Sequence, residues 1–174
     1  SLAALARTLF RDATQEVTLQ LHTAYKDYLT SCARSCSQTK SFFIRDTPVD
    51  LYSFYVPVSL ACDDLDLEDP DYSRVVSISN RIVVRGTAGS GKSVLMKHLF
   101  VSSLKARAHV PLFVDLRRIN DKHGSLLELI VATLSSKNSR IDRTYVESAI
   151  RRGHFALLLD GFDEIALDKR ESVV

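Results

Sequence analysis

A glycine-rich run that ends in a lysine and a serine is the part of the sequence best suited to chemistry. Its residues are Gly86, Thr87, Ala88, Gly89, Ser90, Gly91, Lys92, Ser93 and Val94. The spacing satisfies the Walker A pattern, in which backbone N–H groups and the start of a following helix surround phosphate oxygens. We predict that residues 86–94 bind the phosphates of a nucleotide, with Lys92 reaching the β- and γ-phosphates and the Ser93 hydroxyl ligating Mg²⁺.

A second candidate site follows an apolar run near the end of the sequence. Residues 157–159 lead into Asp160, which is the Walker B form, a buried strand that ends in a carboxylate. We predict that Asp160 holds Mg²⁺ through water, since magnesium keeps much of its hydration shell. Asp163 and Glu164 come next, and a carboxylate at this place can orient or deprotonate the water that attacks in hydrolysis. Alone, this acidic pair would indicate only a helix start.

These side chains must be positioned by the elements around them. The apolar runs 81–85, 110–115 and 155–159 are predicted strands, and helical spacing begins after the glycine-rich turn. Strands that alternate with helices indicate an α/β fold of three layers, a parallel sheet flanked by helices. In such folds the ligand lies at the carboxyl ends of the strands, where both candidate sites fall.

Capping patterns predict where two of the helices begin. Residues 125–128 and 144–147 both fit the capping box, in which a hydroxyl and a glutamate satisfy each other's backbone donors. Helices are therefore predicted to begin near Leu126 and Tyr145. The second is predicted to end at Gly153, because glycine readily adopts the left-handed conformation of a helix C-terminus.

The first 79 residues differ in pattern and are predicted to be a lead-in to a domain of residues 80–174. Residues 2–36 contain no Pro or Gly and carry apolar residues at helical spacings, which favours one long amphipathic helix or two consecutive ones. Residues 51–56 alternate as a short strand or extended arm would. The acidic segment 63–71 favours a solvated loop.

The composition fits an ordinary globular protein and bears on its partners and its cellular compartment. The chain has 174 residues and a net charge of +2. A charge this small gives no overall positive potential that would attract the backbone of a nucleic acid. No apolar run approaches the ~20 residues that span a bilayer. The three cysteines, Cys32, Cys36 and Cys62, argue for a reducing, cytoplasmic location. The first two lie one helical turn apart but lack further metal ligands, so buried or half-buried thiols are expected.

The two candidate sites together resemble the NACHT family of signal-transduction nucleoside triphosphatases. In that family a small residue follows the magnesium-binding aspartate, and two acidic residues lie slightly farther on. Here these residues are Asp160, Gly161, Asp163 and Glu164. Residues 86–93 are a typical NACHT form of Walker A, and 110–117 look like the family's next strand. The resemblance covers about residues 81–168.

This resemblance implies a P-loop fold and an ATP-dependent switch. Such proteins bind ATP or ADP with Mg²⁺, turn over slowly, and assemble into homo-oligomers that engage an effector in innate immunity or antiphage defence. Effector and sensor domains would lie outside these 174 residues. The wider class also places a strand that follows Walker B between the Walker A and Walker B strands, so we expect the sheet to be incomplete at the C-terminal end.

Three other functions share some of these features. An AAA+ motor or remodeler would add an arginine finger and sensor motifs, a scaffold would bind nucleotide without hydrolysing it, and a small-molecule kinase would need an arginine-bearing lid, for which we see no candidate. Arg117 and Arg118 could contact phosphate, although a solvated strand end is the favoured interpretation. For the nucleotide base, residues 55–57 and Ile82 are the candidates.

Overall fold

Helices pack around a small parallel sheet in the computed structural model, which describes residues 19–39, 49–53, 55–62, 65–106, 109–120, 124–135 and 141–172. The helices are α1 (Leu19–Ser37), α2 (Tyr72–Ile78), α3 (Lys92–Ala106), α4 (Leu126–Leu134) and α5 (Arg143–Arg151). The strands are β1 (Gln38–Thr39), β2 (Val49–Asp50), β3 (Leu60–Cys62), β4 (Leu65–Leu67), β5 (Val110–Asp115) and β6 (Phe155–Asp160).

The parallel sheet consists of β5 and β6, which confirms two of the three predicted strands. Val110 lies opposite Phe155, and the register continues to the last pair, Asp115 opposite Asp160. Both strands are runs of apolar residues that end in an aspartate, as expected of strands buried between layers. The register therefore places two carboxylates side by side at the carboxyl edge of the sheet.

The third predicted strand, residues 81–85, does not form, and this prediction is wrong for the described structure. These residues have no regular secondary structure, and Val83 is 81% exposed. A strand is stable only when its backbone groups pair with a neighbour. In the parts of the chain that the structure describes, β5 and β6 pair with each other and no strand pairs with 81–85. The β-branched sequence by itself does not supply that partner.

The predicted helix starts are correct for α4 and two residues late for α5. In α4 the Ser125 hydroxyl accepts a hydrogen bond from the Glu128 N–H at 3.3 Å, while the Glu128 carboxylate accepts from Gly124 rather than from Ser125. In α5 the cap is Asp142, whose carboxylate accepts from the Thr144 N–H at 2.7 Å. A carboxylate is a strong acceptor at a helix N-terminus, so the helix begins earlier than the Thr144 pattern predicts.

Helix α1 joins the predicted lead-in segment to the sheet. Its predicted amphipathic character is confirmed in the part described, with Tyr25, Leu29, Ala33 and Cys36 buried along one face; residues 1–18 lie outside the described ranges. Leu29 is completely buried, which contributes about 1.5–3 kcal/mol. The Tyr28 hydroxyl accepts a hydrogen bond from Phe113 N–H at 2.7 Å and donates to Phe113 O at 3.4 Å. The Tyr28 side chain thus bonds to both the N–H and the carbonyl group of one residue of β5.

The segment between α1 and α2 departs from two predictions. Residues 51–53 form a 3₁₀ turn, and 55–59 have no regular structure, so the predicted strand at 51–56 is absent from the described residues. Part of the predicted acidic loop is instead the strand β4, antiparallel to β3. Asp71 caps α2 by accepting a hydrogen bond from the Arg74 N–H at 2.9 Å. Residues 63 and 64 lie outside the described ranges.

No helix among the described residues is long and apolar enough to cross a membrane.

Candidate phosphate and magnesium site

The predicted phosphate loop runs directly into α3, in the order that the sequence pattern requires. Gly89 and Gly91 have φ of 77° and 86°, in the left-handed region that favours glycine. A Cβ atom on Gly86 would lie 2.6 Å from the Ser90 Oγ, so any larger residue there would displace the Ser90 hydroxyl. Residues 86–90 are exposed, whereas Gly91, Lys92 and Val94 are partly buried. The loop is therefore open to a ligand from solvent.

The Lys92 side chain folds back over this loop. Its Nζ donates hydrogen bonds to the carbonyl oxygens of Gly86 and Thr87, both at 2.9 Å. An ammonium group has three donors, so one remains available to a further acceptor above the loop. The lysine thus lies where the sequence pattern places it, over the turn that would hold phosphate.

The two predicted metal ligands are brought together from distant parts of the chain. The Ser93 hydroxyl donates a hydrogen bond to the Asp160 Oδ1 at 3.1 Å, although 67 positions separate the two residues. Ser93 lies in the first turn of α3, and Asp160 is the last residue of β6. Hydroxyl and carboxylate oxygens are ligands that magnesium accepts, and it completes its shell with phosphate oxygens and water. The pair fits a magnesium site that is finished by the nucleotide.

Among the described residues no group of three or more His, Cys, Asp and Glu side chains could hold an ion. Cys32 is partly buried and Cys36 is buried, as the sequence predicts for their side chains.

The acidic pair follows Asp160 in a short 3₁₀ helix, Phe162–Glu164. Asp163 and Glu164 are both exposed. Side chains from elsewhere in the fold bind their backbone: Arg170 donates to the Asp163 carbonyl at 2.9 Å, and Asn120 donates to the Glu164 carbonyl at 3.0 Å. The backbone of the acidic turn is therefore held while its carboxylates face solvent.

Gly161 lets the chain turn from β6 into this acidic segment. Its φ is 81°, and a Cβ atom there would lie 3.2 Å from the Arg117 Cγ. We expect Gly161→Ala to lower the free energy of unfolding by roughly 1–3 kcal/mol, through backbone strain and a close contact.

Urea unfolding of the variant measures this effect, and Gly153→Ala is its matched control. Gly153 also has positive φ, 71°, but a Cβ atom there would meet nothing within 4 Å. The cost at Gly161 should therefore exceed the cost at Gly153. Equal costs would show that the contact with Arg117 contributes nothing.

Asn120 is a residue that the sequence reasoning missed. Its side chain donates to the Glu164 carbonyl at 3.0 Å and accepts from the Ala166 N–H at 3.0 Å. It therefore satisfies one backbone acceptor and one backbone donor at the end of the acidic turn. Lys169 donates to the Asn120 carbonyl at 2.8 Å and so ties the same two segments. Only the position of Asn120 shortly after a predicted strand could have drawn attention to it.

Arg117 connects the ends of β5 and β6. It binds the Asp115 carboxylate through two hydrogen bonds of 2.7 Å, and its guanidinium lies 3.9 Å from Glu164. The hydrogen bonds from Arg117 hold the pKa of Asp115 below its ordinary value. With its side chain 54% exposed, Arg117 fits the predicted solvated strand end, and the structure adds its link to the acidic turn.

Among the candidate base-binding residues, Tyr55 lies against α3. The Tyr55 ring stacks on His98 of α3, with centroids 4.6 Å apart. Val58 Cγ1 would be 3.9 Å from a Cβ atom on Gly91. The chain around residues 55–58 therefore passes close to the start of α3. Ile82, the other candidate, is 40% exposed.

Comparison with known proteins identifies one family. A sequence model described as the NACHT domain matches residues 80–173, more than half of the 174 residues. No curated protein and no solved structure matches the chain.

Proposed function

The chain belongs to the NACHT family of nucleotide-binding NTPases, and from this premise we propose that it is a regulatory ATPase whose bound nucleotide controls its assembly. The observation that carries the proposal is the hydrogen bond between Ser93 and Asp160 at 3.1 Å. It joins the phosphate loop to the carboxyl edge of the sheet, where a nucleotide with its metal ion must lie.

Each part of the phosphate site would then have one role. The backbone N–H groups of residues 86–91 and the start of α3 surround the phosphates. Lys92 keeps its two bonds to loop carbonyls and directs its third donor at the β- and γ-phosphates. Ser93 would ligate Mg²⁺ directly and Asp160 through water, and the ion would neutralise charge between the phosphates.

The acidic turn would supply the group that acts on water. Asp163 and Glu164 are the candidates; Arg170 binds the backbone carbonyl of the first and Asn120 that of the second. Glu164 also lies 3.9 Å from the Arg117 guanidinium, which links it to the end of β5. We place the attacking water between the acidic turn and the phosphate loop, with the base of the nucleotide towards residues 55–58.

Replacing Asp160 by asparagine tests the magnesium assignment. We expect Asp160→Asn to lower affinity for ATP about tenfold when Mg²⁺ is present, and to have little effect when EDTA removes the metal. Titration with a fluorescent ATP analogue measures both conditions. Asp168→Asn is the matched control, because Asp168 is an exposed carboxylate of the following 3₁₀ segment.

Two results would contradict the assignment. One is an equal loss of affinity with and without Mg²⁺, which would indicate a damaged fold. The other is an unchanged affinity in both conditions, which would remove Asp160 from the site.

The regulatory part of the proposal rests on the family and needs its own measurement. We propose assembly into a homo-oligomer when ATP is bound, in the cytoplasm, in innate immunity or antiphage defence. Sedimentation of the full-length protein with ATP and with ADP should show a larger species only with ATP. If the protein has the same size with ATP and with ADP, the proposed switch is wrong and only nucleotide binding remains.

A further inference from the structure

Two cysteine side chains that the proposed function does not use lie in contact at the end of α1. The Sγ atoms of Cys32 and Cys36 are 3.8 Å apart. Cys36 is only 2% exposed, whereas Cys32 is partly accessible to solvent. The contact therefore pairs one thiol that a small reagent can reach with one that it cannot.

The surroundings make the two thiols chemically different. The hydrogen bond from Cys36 lowers the pKa of Cys32, against the opposing effect of burial. The hydrogen bond to Cys32 and burial raise the pKa of Cys36 far above its ordinary value, although the charge of Lys97 opposes this. The thiolate is the nucleophile in thiol chemistry, so Cys32 reacts first.

We propose that Cys32 and Cys36 form a dithiol that hydrogen peroxide oxidises to an intrahelical disulfide. The Cys32 sulfur attacks a peroxide oxygen, the O–O bond breaks, and Cys32 becomes a sulfenic acid while the released hydroxide takes up a proton to give water. The Cys36 sulfur then attacks the Cys32 sulfur and loses its proton. The S–O bond breaks, a second water leaves, and two sulfurs have been oxidised while one peroxide is reduced.

The bridge requires a change in the last turn of α1. Side chains one helical turn apart have Cβ atoms about 5–6 Å apart, whereas a disulfide holds them at about 3.5–4.5 Å. Because α1 ends at Ser37, directly after Cys36, the last turn can unwind to close this gap. Cys36 shares a hydrophobic cluster with Leu95 and Leu99 of α3. Oxidation would therefore disturb the packing of α1 on the helix that begins at the phosphate loop.

Peroxide treatment of the full chain, with Cys62 replaced by serine, tests the proposal. After free thiols are blocked with maleimide, mass spectrometry should find a reducible bridge between Cys32 and Cys36 within one chain. In Cys36→Ser, Cys32 should accumulate as a sulfenic acid that dimedone captures. In Cys32→Ser, Cys36 should stay reduced. Because Cys36 is buried, Cys36→Ala serves as a second variant if the serine disrupts folding.

Amide hydrogen exchange tests the structural consequence. Exchange at residues 33–37 should be faster in the oxidised parent than in the reduced parent, and peroxide should change nothing there in Cys32→Ser. The proposal is overturned if Cys32 stops at the sulfenic acid in the parent, if Cys36 is oxidised equally well without Cys32, or if the bridge forms without any change in exchange.

Discussion

Replacing Lys92 by alanine is expected to weaken nucleotide binding by roughly 100-fold, or about 3 kcal/mol. The ammonium group lies over the phosphate loop, bonded to the carbonyls of Gly86 and Thr87 at 2.9 Å each. Alanine removes this positive charge from the loop, and hydrogen bonds to charged groups are the stronger ones. Titration of the full-length protein with a fluorescent ATP analogue measures the loss.

The control for Lys92→Ala is Lys105→Ala. Lys105 lies in the last turn of the same helix. Its replacement therefore removes an equal charge at the opposite end of that helix from the loop. Its effect on affinity should be small. Thermal melting without nucleotide shows whether both variants remain folded. If Lys92→Ala left nucleotide binding and nucleotide-dependent assembly unchanged, the phosphate-site assignment would fail.

Replacing Glu164 by glutamine is expected to lower ATP turnover by roughly 10²–10⁴-fold while leaving nucleotide affinity nearly unchanged. The amide keeps the shape of the carboxylate but cannot accept a proton from water. Glu164 is exposed at the carboxyl end of β6, and hydrogen bonds to its backbone, not its carboxylate, hold the turn. Release of ADP and phosphate under single-turnover conditions separates the chemical step from binding.

Two further variants sharpen the Glu164 experiment. Asp163→Asn shows which member of the acidic pair acts on water, since only one of the two replacements should abolish turnover. Glu171→Gln makes the same chemical change at an exposed residue of the 3₁₀ segment that follows, and should have no effect. Equal product release from the parent and Glu164→Gln would instead favour a scaffold that binds nucleotide without hydrolysing it.

Strands β5 and β6 were predictable because local sequence and tertiary environment agree there. Each is an apolar run with an aspartate at its end, and the two pair along their whole length. The run 81–85 has the same local character, yet Val83 is 81% exposed. A strand depends on its neighbour for hydrogen bonds, and no neighbour can be read from the run itself. Local pattern thus predicts a tendency, and pairing decides the outcome.

At the ends of helices, too, the local sequence predicts some features and not others. Gly153 follows α5 in the left-handed conformation, as the sequence predicts, because few other residues adopt it without strain. The start of α5 was misplaced because two capping residues compete there, and Asp142 precedes Thr144. The capping preferences of the single residues do not say which of two nearby residues will start the helix.

The sequence by itself determined which residues are candidates for the chemistry: a glycine loop with Lys92 and Ser93, and an apolar run that ends in Asp160. These features are local, since a turn needs its glycines wherever it folds. Only the tertiary structure brought Ser93 within 3.1 Å of Asp160, and only it placed Asn120 against the acidic turn. Contacts across 67 and 44 positions arise from the register of β5 with β6 and the packing of α3 on the sheet, which no local pattern contains.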